Sequence, residues 1–179
     1  MAPPTQGGAN GESGVERPIR RVAVGLGSNL GDRASHLAFA TDELRLLLSD
    51  VVVSTFVETP PEHNAPQPLF LNGALVGLTS DPPPRLLARL LDIERRRGRV
   101  RSYPGAPRTL DLDLLLVGTV TVESESLRLP HPRFRSRLFV LEPLAEIAPT
   151  MVDPVTGLSI RTLLERLRQA DGLVSPPLL

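Results

Sequence analysis

Proline decides where this chain can be regular. There are 19 prolines in 179 residues, about twice the usual share of about 5%. Proline lacks the amide donor and its ring meets the preceding turn, so helix interiors and central strands exclude it. Regular elements are therefore expected in the stretches free of it: 19–59, 69–81, 85–103, 108–129 and 155–175. Two long loops rich in proline are expected between them, TPPEHNAPQP at 59–68 and RVRSYPGAPR at 99–108.

Within those stretches the patterns are readable. Arg21–Leu26 alternates and is rich in Val, as a strand does. Gly27-Ser28-Asn29 reads as a turn. Asp32 is placed to cap a helix over 33–48, with Leu37, Leu44, Leu47 and Leu48 on one face. Val51–Val57 reads as a second strand and Phe70–Leu78 as a third. Asp81 and the three prolines after it open a second helix over 84–97, which Gly98 ends. Leu110–Val117 is the fourth strand, and Gly118-Thr119 turns into a short ribbon. Helices are expected again over 136–147 and 160–170. The order β-α-β-β-α-β with a C-terminal extension predicts an α+β chain of ferredoxin-like plan. Its antiparallel sheet packs helices on one face and leaves the other free for a ligand. Residues 1–18 are expected to be a disordered tail, 19–172 a single domain and 173–179 a loose end.

Composition removes several classes of function. Lys+Arg and Asp+Glu are 20 each, so no global field draws the chain to nucleic acid or anionic lipid. There is no cysteine, which excludes disulfides, thiolate metal sites and a Cys nucleophile, and fits a cytoplasmic protein. The first residues lack the apolar core of a signal peptide, and no run of about 18 apolar residues exists, so no membrane span is expected.

The chemistry concentrates in Arg108-Thr-Leu-Asp111-Leu-Asp113. Side chains alternate along a strand, so Asp111 and Asp113 share one face. Paired carboxylates repel unless a cation lies between them, and Mg²⁺ takes one or two carboxylates and fills its shell with water and phosphate oxygens. A solvated strand face is the plain alternative. Nearby arginines favour an anion site, since guanidinium forks match phosphate. Arg99, Arg101 and Arg108 are assigned to it, whereas Arg95, Arg96 and Arg97 read as the solvated end of a helix. His131, between two prolines, and Arg137 are within reach of the same anion. Gly25-Leu-Gly-Ser-Asn-Leu-Gly31 has neither dinucleotide nor Walker spacing and reads as a turn into a helix. Phe70 and Asn72 share a face of the third strand, and Phe139 offers a second ring. An aromatic wall with an amide at its edge suits a flat polar heterocycle, while two core phenylalanines are the plainer reading.

Taken together, the segments GLGSNLGDR, ETPP, FLNGAL, IE with GRVR, PRTLDLDLLL, LPHPR and FVLEPLAEIAP resemble the 6-hydroxymethyl-7,8-dihydropterin pyrophosphokinases of folate biosynthesis. The resemblance spans about residues 21–165. It implies transfer of the β,γ-diphosphate of ATP to the pterin hydroxymethyl group, with release of AMP. It implies two Mg²⁺ ions on Asp111 and Asp113, and a pterin held by Thr59, Pro60, Phe70, Asn72 and Phe139. ATP would be held by Glu94, Arg99, Arg101, Arg108, His131 and Arg137, with Arg99, Arg101 and Arg108 also catalytic. The partners expected are these two substrates, with no nucleic acid or membrane, in a monomer. One departure is that the second loop carries Tyr103 and no Trp. Two rival readings remain: an Mg–ATP transferase acting on another acceptor, and a ferredoxin-like RNA-binding module. The last would need aromatic and basic residues on the sheet face, where aspartates stand.

Overall fold

The computed structural model describes residues 17–62, 66–100, 103 and 105–172. Apart from positions 17 and 18, both expected tails lie outside these residues, as does Arg101.

A five-stranded antiparallel sheet forms the centre. Its strands are β1 (Arg20–Ser28), β2 (Ser49–Val53), β3 (Val57–Thr59), β4 (Phe70–Thr79) and β5 (Asp111–Val117). They are ordered β2-β4-β1-β5, and β3 also pairs with β4. A small ribbon, β6 (Val122–Glu123) with β7 (Arg128–Leu129), follows where Gly118 turns the chain. The helices are α1 (Arg33–Leu47), α2 (Pro83–Arg96), α3 (Leu138–Ile147) and α4 (Ile160–Ala170). The ferredoxin-like plan is thus as expected.

The caps follow from the residues. Asp32 accepts a hydrogen bond from the Ser35 amide at 3.0 Å and starts α1. Prolines occupy the first turn of α2, where their missing amides cost nothing, and Gly98 follows its end at φ 77°. Pro143 breaks the proline rule: it lies inside α3, itself buried among apolar neighbours.

Two hydrophobic layers sandwich the sheet. Below it, Val22, Val24, Leu26, Leu75, Leu112 and Leu114 meet Leu37 and Leu44 of α1 and Leu86, Leu90 and Ile93 of α2. Above it, Ala23, Ala74, Val76, Leu115 and Leu116 meet Phe134, Val140, Leu141, Leu144 and Ile160. The expectation of a wholly free upper face is therefore corrected. The C-terminal extension, α3 and α4, covers one end of it. A register shift between Ala23 and Val24 explains how both Leu115 and Leu116 reach the upper layer.

The expected strand Val51–Val57 is also corrected, into β2 and β3. Phe56 lies over Gly73, where a Cβ would come within 2.5 Å of its ring. Ser54 Oγ accepts from the Ala74 amide, and Glu146 of α3 takes the Thr55 amide at 3.1 Å. The strand is pulled off its ladder by packing, which period-two alternation does not reveal.

Asp153 ties the extension to the domain. It is wholly buried and takes both Nε and Nη2 of Arg135, at 2.7 and 2.8 Å. Burial pushes its pKa up, but the bonds from Arg135, Thr156 and the Val155 amide outweigh that and hold it below the usual carboxylate range. A depressed carboxylate contributes stability above its unfolded pKa and loses it as pH falls through the folded one. Asp153→Asn is expected to cost about 1–3 kcal/mol at pH 7. In urea melts the gap to the wild type should narrow as pH drops through 4 toward 3; a gap constant with pH would remove the charge from the explanation.

Candidate active site

The uncovered end of the upper face carries the site. Three strands set it row by row. Gly27 of β1 pairs with Asn72 of β4 on one side and with Asp111 of β5 on the other. Gly25 pairs with Ala74 and Asp113. Asp111 and Asp113 therefore share a face, as the period-two spacing predicts, and both remain partly open, with side chains 16% and 35% exposed.

The two glycines form the floor. A Cβ at Gly27 would lie 2.6 Å from Asn72 Oδ1, and one at Gly25 would lie 3.7 Å from Asp113 Cβ. Sequence reading placed Gly27 in a turn; it is instead in β1, which runs to Ser28. What made it hard to read is that a glycine in a strand, marking close approach, looks in sequence like a glycine in a turn.

Asp111 is the centre of a charge cluster. One oxygen accepts from Arg99 and the other from Arg108 at 2.6 Å. Arg99 also pairs with Glu94, a carboxylate buried to 2% exposure that accepts the Leu112 amide at 2.8 Å. Glu94 thus fixes α2, β5 and Arg99 together. Burial pushes the Asp111 pKa up, but Arg108 and Arg99 outweigh it, and the carboxyl is held below its ordinary value. Asp113 is raised, first by burial and then by the charge of Asp111. His131 Nε2 lies 4.0 Å from Asp113, and burial lowers its pKa against the pull of that carboxylate.

These groups open into a cleft of about 760 Å³. It is lined by the charged groups Arg99, Arg108, Asp111, Asp113, His131 and Arg137 together with Pro60, Phe70, Asn72 and Phe139. The structure so brings together most of the residues singled out in sequence. Thr59 lies just behind, its Oγ1 accepting from Asn72 Nδ2 at 2.7 Å. Each ring carries a guanidinium: Arg108 lies 5.0 Å from the Phe70 ring centre and Arg137 5.3 Å from that of Phe139. Tyr103 stands at the rim, 61% exposed. A smaller cleft of about 200 Å³ adjoins, walled by Leu87, Leu91, Leu114 and Leu127, with Glu94 and Ser126 at its edge. Arg95, Arg96 and Arg97 are outside both clefts, on Asp92, on Glu43 and on His36 with Ser35. Arg97 is thereby tied into α1 rather than merely solvated.

Two contributors were missed in sequence. Asn29 is 1% exposed and holds both loops. Its Nδ2 donates to Gln67 Oε1 at 3.2 Å and to the Pro68 carbonyl at 3.3 Å, and its Oδ1 accepts the Arg108 amide at 2.8 Å. Gln67 in turn donates to the Gly105 carbonyl at 2.9 Å. The only sequence signal was an amide after Gly-Ser, which reads as a turn residue. The other is Glu62, which accepts two hydrogen bonds from Arg137.

The donor set suits a hard cation. Among the described residues no three carboxylates or histidines converge as a closed metal cage. Two adjacent carboxylates in an open cleft leave the other positions of an octahedron to water and phosphate, which is how Mg²⁺ is usually held.

A ferredoxin-like sheet with paired aspartates, convergent guanidinium groups and an aromatic-walled cleft suits a transferase of the kind that handles metal–polyphosphate substrates. Comparison with known proteins is specific. The model of the 7,8-dihydro-6-hydroxymethylpterin-pyrophosphokinase family matches residues 23–149, and the chain belongs to that family. It is 42% identical over 147 residues to the 2-amino-4-hydroxy-6-hydroxymethyldihydropteridine pyrophosphokinase of Synechocystis, covering 82% of this chain and 75% of that one. The Methylorubrum extorquens protein of the same name is 42% identical over 151 residues, covering 83% and 94%. The Bacillus subtilis one is 44% identical over 136 residues, covering 75% and 81%. Among solved structures, an HPPK-DHPS in complex with substrates aligns with TM-score 0.67 at 13% identity, covering 86% of this chain and 44% of that one. That likeness speaks for the fold alone.

Asn29→Ala removes the bridge between the loops. It is expected to lower stability by about 1–3 kcal/mol, the cost of stranding buried partners. Hydrogen exchange at Gln67, Arg108 and their neighbours should accelerate, while the apolar layer beneath the sheet stays protected as before. Unchanged exchange in both loops would show that Asn29 does not hold them.

Proposed function

We propose that this chain transfers the β,γ-diphosphate of ATP to the hydroxymethyl group of 6-hydroxymethyl-7,8-dihydropterin and releases AMP. Family membership supports the reaction. The observation that carries the reading onto these residues is that one cleft joins the Asp111–Asp113 pair and its arginines to the Phe70–Phe139 walls.

On this reading the hydroxymethyl oxygen attacks the β-phosphorus. The bond from that phosphorus to the α,β-bridging oxygen breaks, and AMP leaves with that oxygen. Such a reaction asks for in-line placement and charge neutralisation rather than covalent help. Arg99, Arg108, His131 and Arg137 hold the phosphates, with Arg101 assigned beside them from the resemblance. Glu94 acts by fixing Arg99. The nucleoside lies in the smaller cleft against Leu87, Leu91 and Leu127. The pterin lies between Phe70 and Phe139, its edge read by Asn72, whose orientation Thr59 fixes, and by the backbone near Thr59 and Pro60. Asp111 and Asp113 would hold two Mg²⁺ ions, which when bound neutralise the triphosphate and polarise the attacked phosphorus. Asp113, on the open side of the pair, is placed to receive the hydroxyl proton. The loops that Asn29 joins keep water from the bound ATP.

The test is the nucleotide product. With ATP, Mg²⁺ and the reduced pterin alcohol, AMP should accumulate; ADP would reject diphosphate transfer. Asp111→Ala and Asp113→Ala should each abolish AMP formation, but their melting should differ. Loss of Asp111 strands Arg108, leaves Arg99 on Glu94 alone and lowers the melting temperature. Loss of Asp113, on the open side, relieves its repulsion from Asp111 and does not. The opposite ranking would contradict the charge assignment.

Phe139→Ala should raise the pterin KM about tenfold or more and move the ATP KM much less. Equal losses for the two substrates would argue against stacking.

A further inference from the structure

The reaction leaves two charged residues of the cleft without a part, Arg133 and Glu62, and Glu62 is the acidic one. Its carboxylate accepts from Arg137 Nε at 2.9 Å and from Nη2 at 2.8 Å, with Arg133 Nη1 3.7 Å away. Arg137 is 8% exposed. Its remaining nitrogen, Nη1, faces Asp113 at 3.8 Å, and its plane lies over Phe139. A guanidinium so enclosed offers one two-pronged edge to an anion, and Glu62 fills it. Carboxylate and phosphate present the same pair of acceptor oxygens to such an edge.

Glu62 is coupled to the acceptor end through its backbone. It follows Thr59-Pro60-Pro61 directly, and consecutive prolines have fixed φ and little slack. Thr59 binds Asn72, while Pro60 and Pro61 border the cleft. The Glu62–Arg137 pair therefore anchors one end of a stiff segment that walls the pterin side, and its loss frees that end.

We propose that Glu62 is an internal anion that occupies the phosphate-binding edge of Arg137 in the free protein, so that nucleotide phosphates must displace it and thereby release the segment bordering the acceptor site. This rests on the reading of Arg137 as a phosphate ligand. The exchange replaces one charge-assisted fork by another. Once it has happened, the phosphates repel the freed carboxylate and keep it away. Apparent nucleotide affinity is lowered in proportion to how much of the time Arg137 is taken.

The experiment is calorimetric titration with Mg²⁺ and α,β-methylene ATP, whose α,β bridge cannot be cleaved, without pterin. Glu62→Gln keeps the shape and removes the charge. It should bind the nucleotide about two- to fivefold more tightly than the wild type, the range of a part-exposed ion pair. Arg137→Ala should bind more weakly, and adding Glu62→Gln in that background should gain nothing. The proposal is overturned if the wild type binds but Glu62→Gln binds equally or less well, or if its gain survives without Arg137. Should the wild type not bind this nucleotide at all, the assignment of Arg137 to phosphate fails first, and the role of Glu62 with it.

Discussion

Two guanidinium groups on one carboxylate hold this site in shape. Asp111 takes Arg99 on one oxygen and Arg108 on the other. Through Arg99 it is joined to Glu94 and so to α2, and through Arg108 to Asn29 and so to β1 and both loops. Helix, strand and loops thus share one electrostatic joint. A buried charge alone would cost several kcal/mol, so each member depends on the others being present. That dependence fixes the polar upper side of the site, while the apolar layer of Leu26, Leu110, Leu112 and Leu114 supports the same strands from beneath.

The same joint explains how a site built for a highly charged substrate folds without one. Arg99 and Arg108 are on Asp111, and Arg137 is on Glu62. On the proposed reading, binding is an exchange of partners. Phosphate takes the guanidinium groups, and metal takes the carboxylates they leave. The aromatic rings take part as well, since Phe70 and Phe139 carry Arg108 and Arg137 against them. Such exchange makes affinity a difference between two sets of strong contacts rather than the sum of one.

Much of this was legible in the sequence, for identifiable reasons. Helix boundaries were marked by Asp32, the prolines at 82–84 and Gly98, each acting on its own few residues. The shared face of Asp111 and Asp113 needed only the pleat of a strand. What escaped reading depends on residues far apart in the chain. Asn29 acts on groups 38, 39 and 79 positions away. The break between β2 and β3 depends on Phe56 lying over Gly73 and on Glu146, 91 residues distant. The cover that α3 and α4 put on the upper face is a tertiary choice that helix periodicity leaves open.

The bare strand through Gly25 and Gly27 has a metric meaning. No side chain of its own stands on this face between Asn72 on one neighbour and Asp111 on the other, and the Asn72 amide leans over Gly27. Adjacent strands sit about 4.8 Å apart, which puts the two rows about 9.6 Å from each other. On the proposed reading, the pitch of the sheet itself is then the gauge that separates the row reading the pterin edge from the row facing the phosphates, and side-chain changes leave that pitch as it is.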